Sequence, residues 1–248
     1  HDQLEAVLMR RAGYEVRVLP EENGSWEENP PSLPEFIRRD LRWCQGNMQY
    51  FHFLSLPRLL PVSRCQLGLA IAMYLGAPAW LGLMTLGLLH QMPIRADLGA
   101  LLFILTMVMS FAPKFATLAD VLARSPLRQA YGGTARILVS AFLEMLFSML
   151  IAPISAVAVT LFMLGLPFGR EMGWSTQQRD AEGIPFALAA RRLWLQTVLG
   201  FVFAVCFWRV VPGAVWLWAP FVLGLAGAIP LAMASADPRV GRALAAVG

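Results

Sequence analysis

The sequence predicts a mainly α, polytopic transmembrane helix bundle with interfacial helices. Three observations predict it. Hydrophobic residues make up 57% of the 248 positions and charged residues only 15%. Mean hydropathy is +0.57, and the apolar residues fall in long blocks rather than alternating with polar ones. The basic residues gather in the short segments between those blocks, which is the expected bias of cytoplasmic loops.

The formal net charge is +4 and the isoelectric point is near 9.3. The arginines are spread over several short loops, so nucleic acid is a poor partner for that charge. Cys44, Cys65 and Cys206 are an odd number without metal-ligand spacing and read as free thiols. His1, His52 and His90 are isolated, so they build no metal site. The chain opens on His1-Asp2 with no signal peptide, in what looks like mid-domain sequence. The expectation is a C-terminal portion of a longer chain.

The first helix is expected over 2–12, with Leu4, Val7, Leu8 and Arg11 at helical spacing and Gly13 as its stop. Tyr14, Val16 and Val18 alternate with Glu15 and Arg17, which predicts a short strand over 14–19. An acidic, proline-rich loop with Trp26, Glu27 and Glu28 fills 20–34. Ser32 followed by Glu35 forms a capping-box pattern for a helix over about 33–54. Segment 56–65, interrupted by Pro57 and Pro61, suits the membrane interface.

Six membrane segments are expected, at 67–89, 98–113, 137–152, 153–166, 193–208 and 214–234. Lys114 snorkels from the second. Loop 114–136 carries Lys114, Arg124, Arg128 and Arg136, and loop 167–192 carries Arg170, Arg179, Arg191 and Arg192. Both are basic, so both are expected in the cytoplasm, which requires an even number of crossings between them. Pro153 is therefore read as the centre of a helical hairpin or re-entrant pair. Glu144 is an intramembrane carboxylate and a functional candidate by default, with a snorkelling or hydrogen-bonded structural acid as the alternative. Trp208, Trp216 and Trp218 read as interfacial belt residues. The tail 237–248, with Arg239 and Arg242, is expected in the cytoplasm.

The chemistry gathers on the helix after Pro34. Arg38, Arg39, Asp40, Arg42 and Trp43 crowd one helical run just before the first span. Guanidinium groups match phosphate oxygens with paired donors. An indole face suits the C–H face of a pyranose. Together they point to a phosphorylated sugar donor and a sugar acceptor. The plainer alternative is a juxtamembrane basic segment against anionic lipid.

Three segments carry a family likeness: His1-Asp-Gln-Leu-Glu-Ala-Val-Leu-Met-Arg-Arg-Ala-Gly-Tyr14, Leu19-Pro-Glu-Glu-Asn-Gly-Ser-Trp-Glu-Glu-Asn-Pro-Pro31, and Phe36-Ile-Arg-Arg-Asp-Leu-Arg-Trp-Cys-Gln-Gly-Asn-Met-Gln49. They resemble the glucans biosynthesis glucosyltransferase H family, bacterial inner-membrane enzymes of glycosyltransferase family 2 related to cellulose and hyaluronan synthases. The likeness extends to 57–80 and to Phe168-Gly-Arg-Glu-Met-Gly-Trp-Ser-Thr-Gln-Gln-Arg-Asp180.

The resemblance implies that 1–55 is the C-terminal end of a cytosolic GT-A-type α/β glycosyltransferase domain and that 66–236 is a channel region. It implies a processive inverting transferase. The enzyme takes glucose from UDP-glucose, builds a β-1,2-linked glucan and passes it to the periplasm, in osmoregulated periplasmic glucan synthesis. The last residue of the relatives' Thr-Glu-Asp-type motif matches Asp2, which would be the catalytic base. Their Gln-x-x-Arg-Trp motif matches 39–43, with Arg39 in place of the Gln. Arg42 would stabilise the departing diphosphate, Arg39 would add charge to the donor site, and Trp43 would stack under the acceptor sugar. Trp174 and Arg179 resemble parts of a gating loop, as acceptor and donor contacts respectively. Glu28 would either orient the arginine cluster or be plain loop. A divalent cation, Mg or Mn, is implied for the full-length enzyme, with its ligands upstream of His1. Implied partners are the growing glucan, membrane lipid, periplasmic glucan-processing proteins and acyl carrier protein. Two rivals stand beside this reading: a cellulose- or hyaluronan-like transferase of other linkage, and a non-enzymatic transporter or scaffold. A transporter predicts paired charges at mid-membrane.

Overall fold

The computed structural model describes residues 2–18, 29–90, 95–173 and 183–247, with the side chains of 96 and 244–247 left aside. Most of the described residues are helical, and no strand occurs among them. The helices are α1 (Asp2–Arg11), α2 (Leu33–Met48), α3 (Pro61–Leu89), α4 (Ala96–Ala123), α5 (Ser125–Ala130), α6 (Thr134–Gly165), α7 (Phe186–Val210), α8 (Val215–Ala226), α9 (Ala228–Ala236) and α10 (Pro238–Val247). Four of them, α3, α4, α6 and α7, are long and apolar enough to cross a membrane, and the bent pair α8–α9 makes up to five. The chain divides into two compact units, one of His1–Met84 with Ala156–Arg179 and one of Thr85–Ser155 with Asp180–Gly248.

In the first unit, α1 places Asp2 and Glu5 in its first turn and Arg10 and Arg11 in its last. Both placements complement the helix dipole. Gly13, at φ +93°, ends the helix as expected, and Tyr14 N–H returns to the Met9 carbonyl at 3.0 Å. The expected strand after it does not form over the described residues 14–18. Residues 14–18 are exposed and unstructured, and Val18 is 93% exposed. Alternation alone makes no strand, because a strand's backbone groups need a neighbouring strand.

Helix α2 buries Leu33, Ile37, Leu41 and Cys44, a stripe at helical spacing. Ser32 is its N-cap, but the side chain makes no capping bond, and Glu35 pairs with Arg38 at 3.2 Å. The expected capping box is therefore replaced by an ion pair and by Pro34 in the first turn. The α-helical part stops at Met48 and a 3-10 turn, Gln49–His52, follows it. Val7, Tyr50, Leu59, Leu67, Ala70 and Ile71 form one buried cluster, with Leu4, Met48, Phe53, Leu54 and Leu56 against it. This cluster fastens α1 and the turn after α2 to the start of α3. Each fully buried large side chain contributes roughly 1.5–3 kcal/mol.

Segment 56–65 is divided, with 61–65 belonging to α3. Pro61 opens α3, where a proline's missing N–H costs nothing, and Arg64 donates to the Leu56 carbonyl at 3.2 Å. At its other end the unit carries the last turns of α6. There Gly169, at φ +78°, turns the chain, and Arg170 folds back over the Phe162 ring while donating to the Leu161 carbonyl at 3.1 Å.

In the second unit, α4 runs through Pro113 and Lys114 to Ala123, where a span ending at 113 was expected. The loop expected over 114–136 is taken up by the end of α4 and by α5, followed by the Gly132–Gly133 turn, where both glycines have positive φ. Helix α6 is continuous through Pro153, so the expected hairpin or re-entrant pair is absent. Membrane-type helices tolerate proline where neighbouring groups close around the broken ladder. Here Gly224 of α8 lies against Pro153 and the Leu150 carbonyl with no room for a methyl group. Helix α7 begins at Phe186 and takes in Arg191 and Arg192, which were expected in the preceding loop. The expected continuous span over 214–234 is broken at Gly227, where α8 and α9 meet at 66°. Gly200 lets α7 approach the backbone of Leu225 and Ala226, the small-residue packing typical of membrane helices. Phe203, Phe207, Trp218 and Phe221 interlock beside it, with the Phe207 and Trp218 rings stacked at 5.8 Å.

Candidate functional site

Helix α2 sorts its side chains by angle. Its apolar stripe faces inward, which leaves Phe36, Arg39 and Trp43 on one flank at spacings of three and four residues. The Arg39 guanidinium stands 4.8 Å over the Trp43 ring and 5.7 Å from the Phe36 centroid, and donates to Asn29 Oδ1 at 3.1 Å. Trp43 is half exposed, and its carbonyl accepts from the Asn47 side chain at 2.9 Å. Arg42 is half-buried next to it. The result is a flat aromatic and guanidinium surface. It can receive a sugar face and an anionic group together.

Two further contacts hold this helix. The Tyr74 hydroxyl of α3 donates to Asp40 Oδ1 at 3.1 Å. The Met172 N–H donates to Gln45 Oε1 at 2.7 Å, which seats the segment after α6 on α2. Burial raises the Asp40 carboxyl above its ordinary value, while the Tyr74 hydrogen bond and the Arg39 charge pull it back. Burial, then the Asp40 charge, push the Cys44 thiol up to about 12.

Asp2 is exposed at the start of α1. The Tyr50 hydroxyl is raised by burial and next by the Asp2 charge, so Asp2 lies within electrostatic reach of the turn that follows α2. Beside the first turn of α1 is an open hollow of about 430 Å³, lined by Gln3, Val62, Cys65, Gln66, Leu69 and Met73 among others. Thus Asp2, Arg39, Arg42 and Trp43 belong to one unit. Glu28, Trp174 and Arg179 lie outside the described residues. Among the described residues, no group of three or more His, Cys, Asp or Glu is arranged to hold a metal ion.

The comparisons with known proteins decide the kinship. The chain is 37% identical to glucans biosynthesis glucosyltransferase H of Rhodopseudomonas palustris, over 94% of this chain and 35% of that protein. It is 33% identical to the protein of the same name in Pseudomonas putida, over 98% of this chain and 31% of that protein. The Caulobacter vibrioides protein of that name is 33% identical over 100% of this chain and 41% of its own length. The chain is a homologue of part of glucans biosynthesis glucosyltransferase H. It spans between about a third and two fifths of the length of these relatives. No family model matches it and no solved structure matches it.

Sequence reasoning placed the arginine–tryptophan surface of α2 but missed what holds it. Asp40 was visible inside the arginine cluster, and its partner Tyr74 is a hydroxyl within an uncharged apolar run. That isolated hydroxyl was the available signal, because a buried phenol needs a partner. The Gln45–Met172 contact had none, since it joins residues far apart in the chain. Glu144 is paired with Lys114 of α4, a residue expected outside the span.

Proposed function

We propose that this chain is the acceptor-site and membrane portion of an inverting glucosyltransferase. The full protein takes glucose from UDP-glucose, builds a β-1,2-linked glucan and moves it across the bacterial inner membrane. The carrying observation is the Arg39–Trp43 surface of α2 in a chain whose relatives are named glucosyltransferases.

In this reading Asp2 accepts the proton of the acceptor hydroxyl as its oxygen attacks the anomeric carbon. The new C–O bond forms on the face opposite the breaking bond to UDP, and UDP leaves with both electrons of that bond. Arg42 offsets the charge growing on the diphosphate, with Arg39 and Arg179 adding to it. Trp43 and Trp174 carry the acceptor ring. A divalent cation belongs to this chemistry, but no set of described residues fits one, so no step here runs through it. Membrane lipid, periplasmic glucan-processing proteins and acyl carrier protein remain the proposed partners. Residues 1–65 would face the cytoplasm, and Gln45 would keep Met172 on that side.

The Lys114–Glu144 pair meets one criterion of the transporter or scaffold reading. Yet two opposite charges in contact neutralise each other, which is also how a structural pair sits among apolar helices. The relatives' names favour the transferase.

The test is UDP-glucose incorporation by membranes carrying the full-length protein, comparing wild type with Asp2→Asn. Glucan from wild type, and loss of synthesis with UDP binding retained in the variant, supports the assignment. Normal polymerisation by Asp2→Asn removes Asp2 as the base. No glucan from wild type removes the synthase reading.

A further inference from the structure

We propose that Tyr74 and Asp40 form a positioning pair that sets the rotation of the acceptor helix against the first membrane helix. This rests on the transferase reading above. The stripe of Leu33, Ile37, Leu41 and Cys44 holds α2 by burial, and burial is non-directional. It fixes how close α2 lies but resists rotation weakly. The hydrogen bond from the Tyr74 hydroxyl to Asp40 Oδ1, at 3.1 Å, is directional.

The geometry makes rotation matter. Asp40 precedes Arg42 by two positions and Trp43 by three, and follows Arg39 by one. These residues radiate from one turn, so turning Asp40 turns all of them. At a side-chain radius of roughly 6 Å, a rotation of about ten degrees moves a tip by about 1 Å. Displacements of that size cost up to about 100-fold in a positioned reaction. Tyr74 is a suitable anchor because its helix α3 is long, and Leu67, Ala70 and Ile71 of α3 lie in the buried cluster that also holds α1. A carboxylate at position 40 that is mostly withdrawn from water needs such a donor. Tyr74 touches no reacting atom in this scheme. Its role is to aim Arg42 and Trp43 through Asp40.

The experiment uses the full-length protein in membranes, with turnover counted per UDP-binding site. Two outputs are read from UDP-glucose: glucose joined to polymer and glucose released to water. Loss of aim at Arg42 slows donor cleavage for transfer and hydrolysis alike, whereas loss of aim at Trp43 falls on transfer alone, so the balance of the two outputs shifts toward hydrolysis. Tyr74→Phe, which keeps the ring, should lower polymer formation about tenfold, raise the ratio of hydrolysis to transfer several-fold, and leave the KM for UDP-glucose within about twofold. Asp40→Ala should shift both outputs in the same direction. Asp40→Asn, whose amide oxygen still accepts from the phenol, should restore most of the transfer. Tyr74→Phe combined with Asp40→Ala should be no worse than either alone.

An unchanged hydrolysis-to-transfer ratio in Tyr74→Phe overturns the inference, as does an Asp40→Asn variant as impaired as Asp40→Ala. Both outcomes are read against an active wild type, so they leave the transferase reading standing. A wild type that makes no glucan removes that reading, and this inference with it.

Discussion

Met172 donates its backbone N–H to the side chain of Gln45 at 2.7 Å, across 127 positions of sequence. Two residues in direct contact share one side of a membrane. Three helices of spanning length, α3, α4 and α6, lie between them. Three single crossings would put Gln45 and Met172 on opposite faces of a membrane, whereas an even number keeps them on one.

That parity gives the first prediction. Single cysteines at Gln49 and Glu171, both exposed, should react with an impermeant maleimide from the same face of sealed vesicles. Labelling from opposite faces would contradict the contact.

Cys44 is fully buried, and its thiol is pushed up to about 12. The thiolate is the reactive form, so at pH 8 about one thiol in 10⁴ is ionised. Mass spectrometry after alkylation of the native full-length protein should find Cys44 unmodified, and it should become modified after denaturation. Rapid native labelling would show that α2 does not rest on its Cys44 face.

Asp40 has a carboxyl raised above its ordinary 3.8, first by burial. The folded state therefore holds the Asp40 proton more tightly than the unfolded chain. Its stabilising effect is full below 3.8 and is lost as pH rises through the raised folded value. The melting temperature of Asp40→Asn in detergent should therefore gain on wild type across that window and run parallel above it. A gap between the two proteins that does not change with pH would refute the assignment.

Lys114 and Glu144 join α4 to α6. Glu144→Gln removes one charge and leaves Lys114 uncompensated in apolar surroundings. Because the Glu144 side chain is 64% exposed, the expected loss is modest, about 1 kcal/mol. Exchanging the two residues should recover most of it. A thermal shift measurement that finds the exchange as damaging as the single change would show that the pair is not an ion-pair tie.

What was legible beforehand follows local rules. Gly13 stops α1, because glycine takes a positive φ without a steric penalty. Helix α2 follows from its apolar spacing, and the first span from its uncharged length. The prolines misled, because a proline's effect depends on its surroundings. Pro113 and Pro153 looked like ends or breaks, yet both lie inside helices. In α6 the reason is on the opposite helix, where Gly224 leaves room for Pro153 and the Leu150 carbonyl. The alternation of Tyr14, Val16 and Val18 misled for a similar reason, since a strand needs a partner that periodicity does not supply.

The sequence by itself determined the membrane character of the chain, the existence of its long helices and the arginine–tryptophan surface of α2. Each of these is a property of neighbours along the chain: apolar run length, helical spacing, and residue type at three- and four-residue intervals. Tertiary structure alone decided that Asp40 turns to Tyr74, that Gln45 holds Met172, and that Lys114 meets Glu144. All three join residues from different elements. Burial then selects which polar groups must find partners, because an unpaired polar group away from water costs more than the bond that satisfies it.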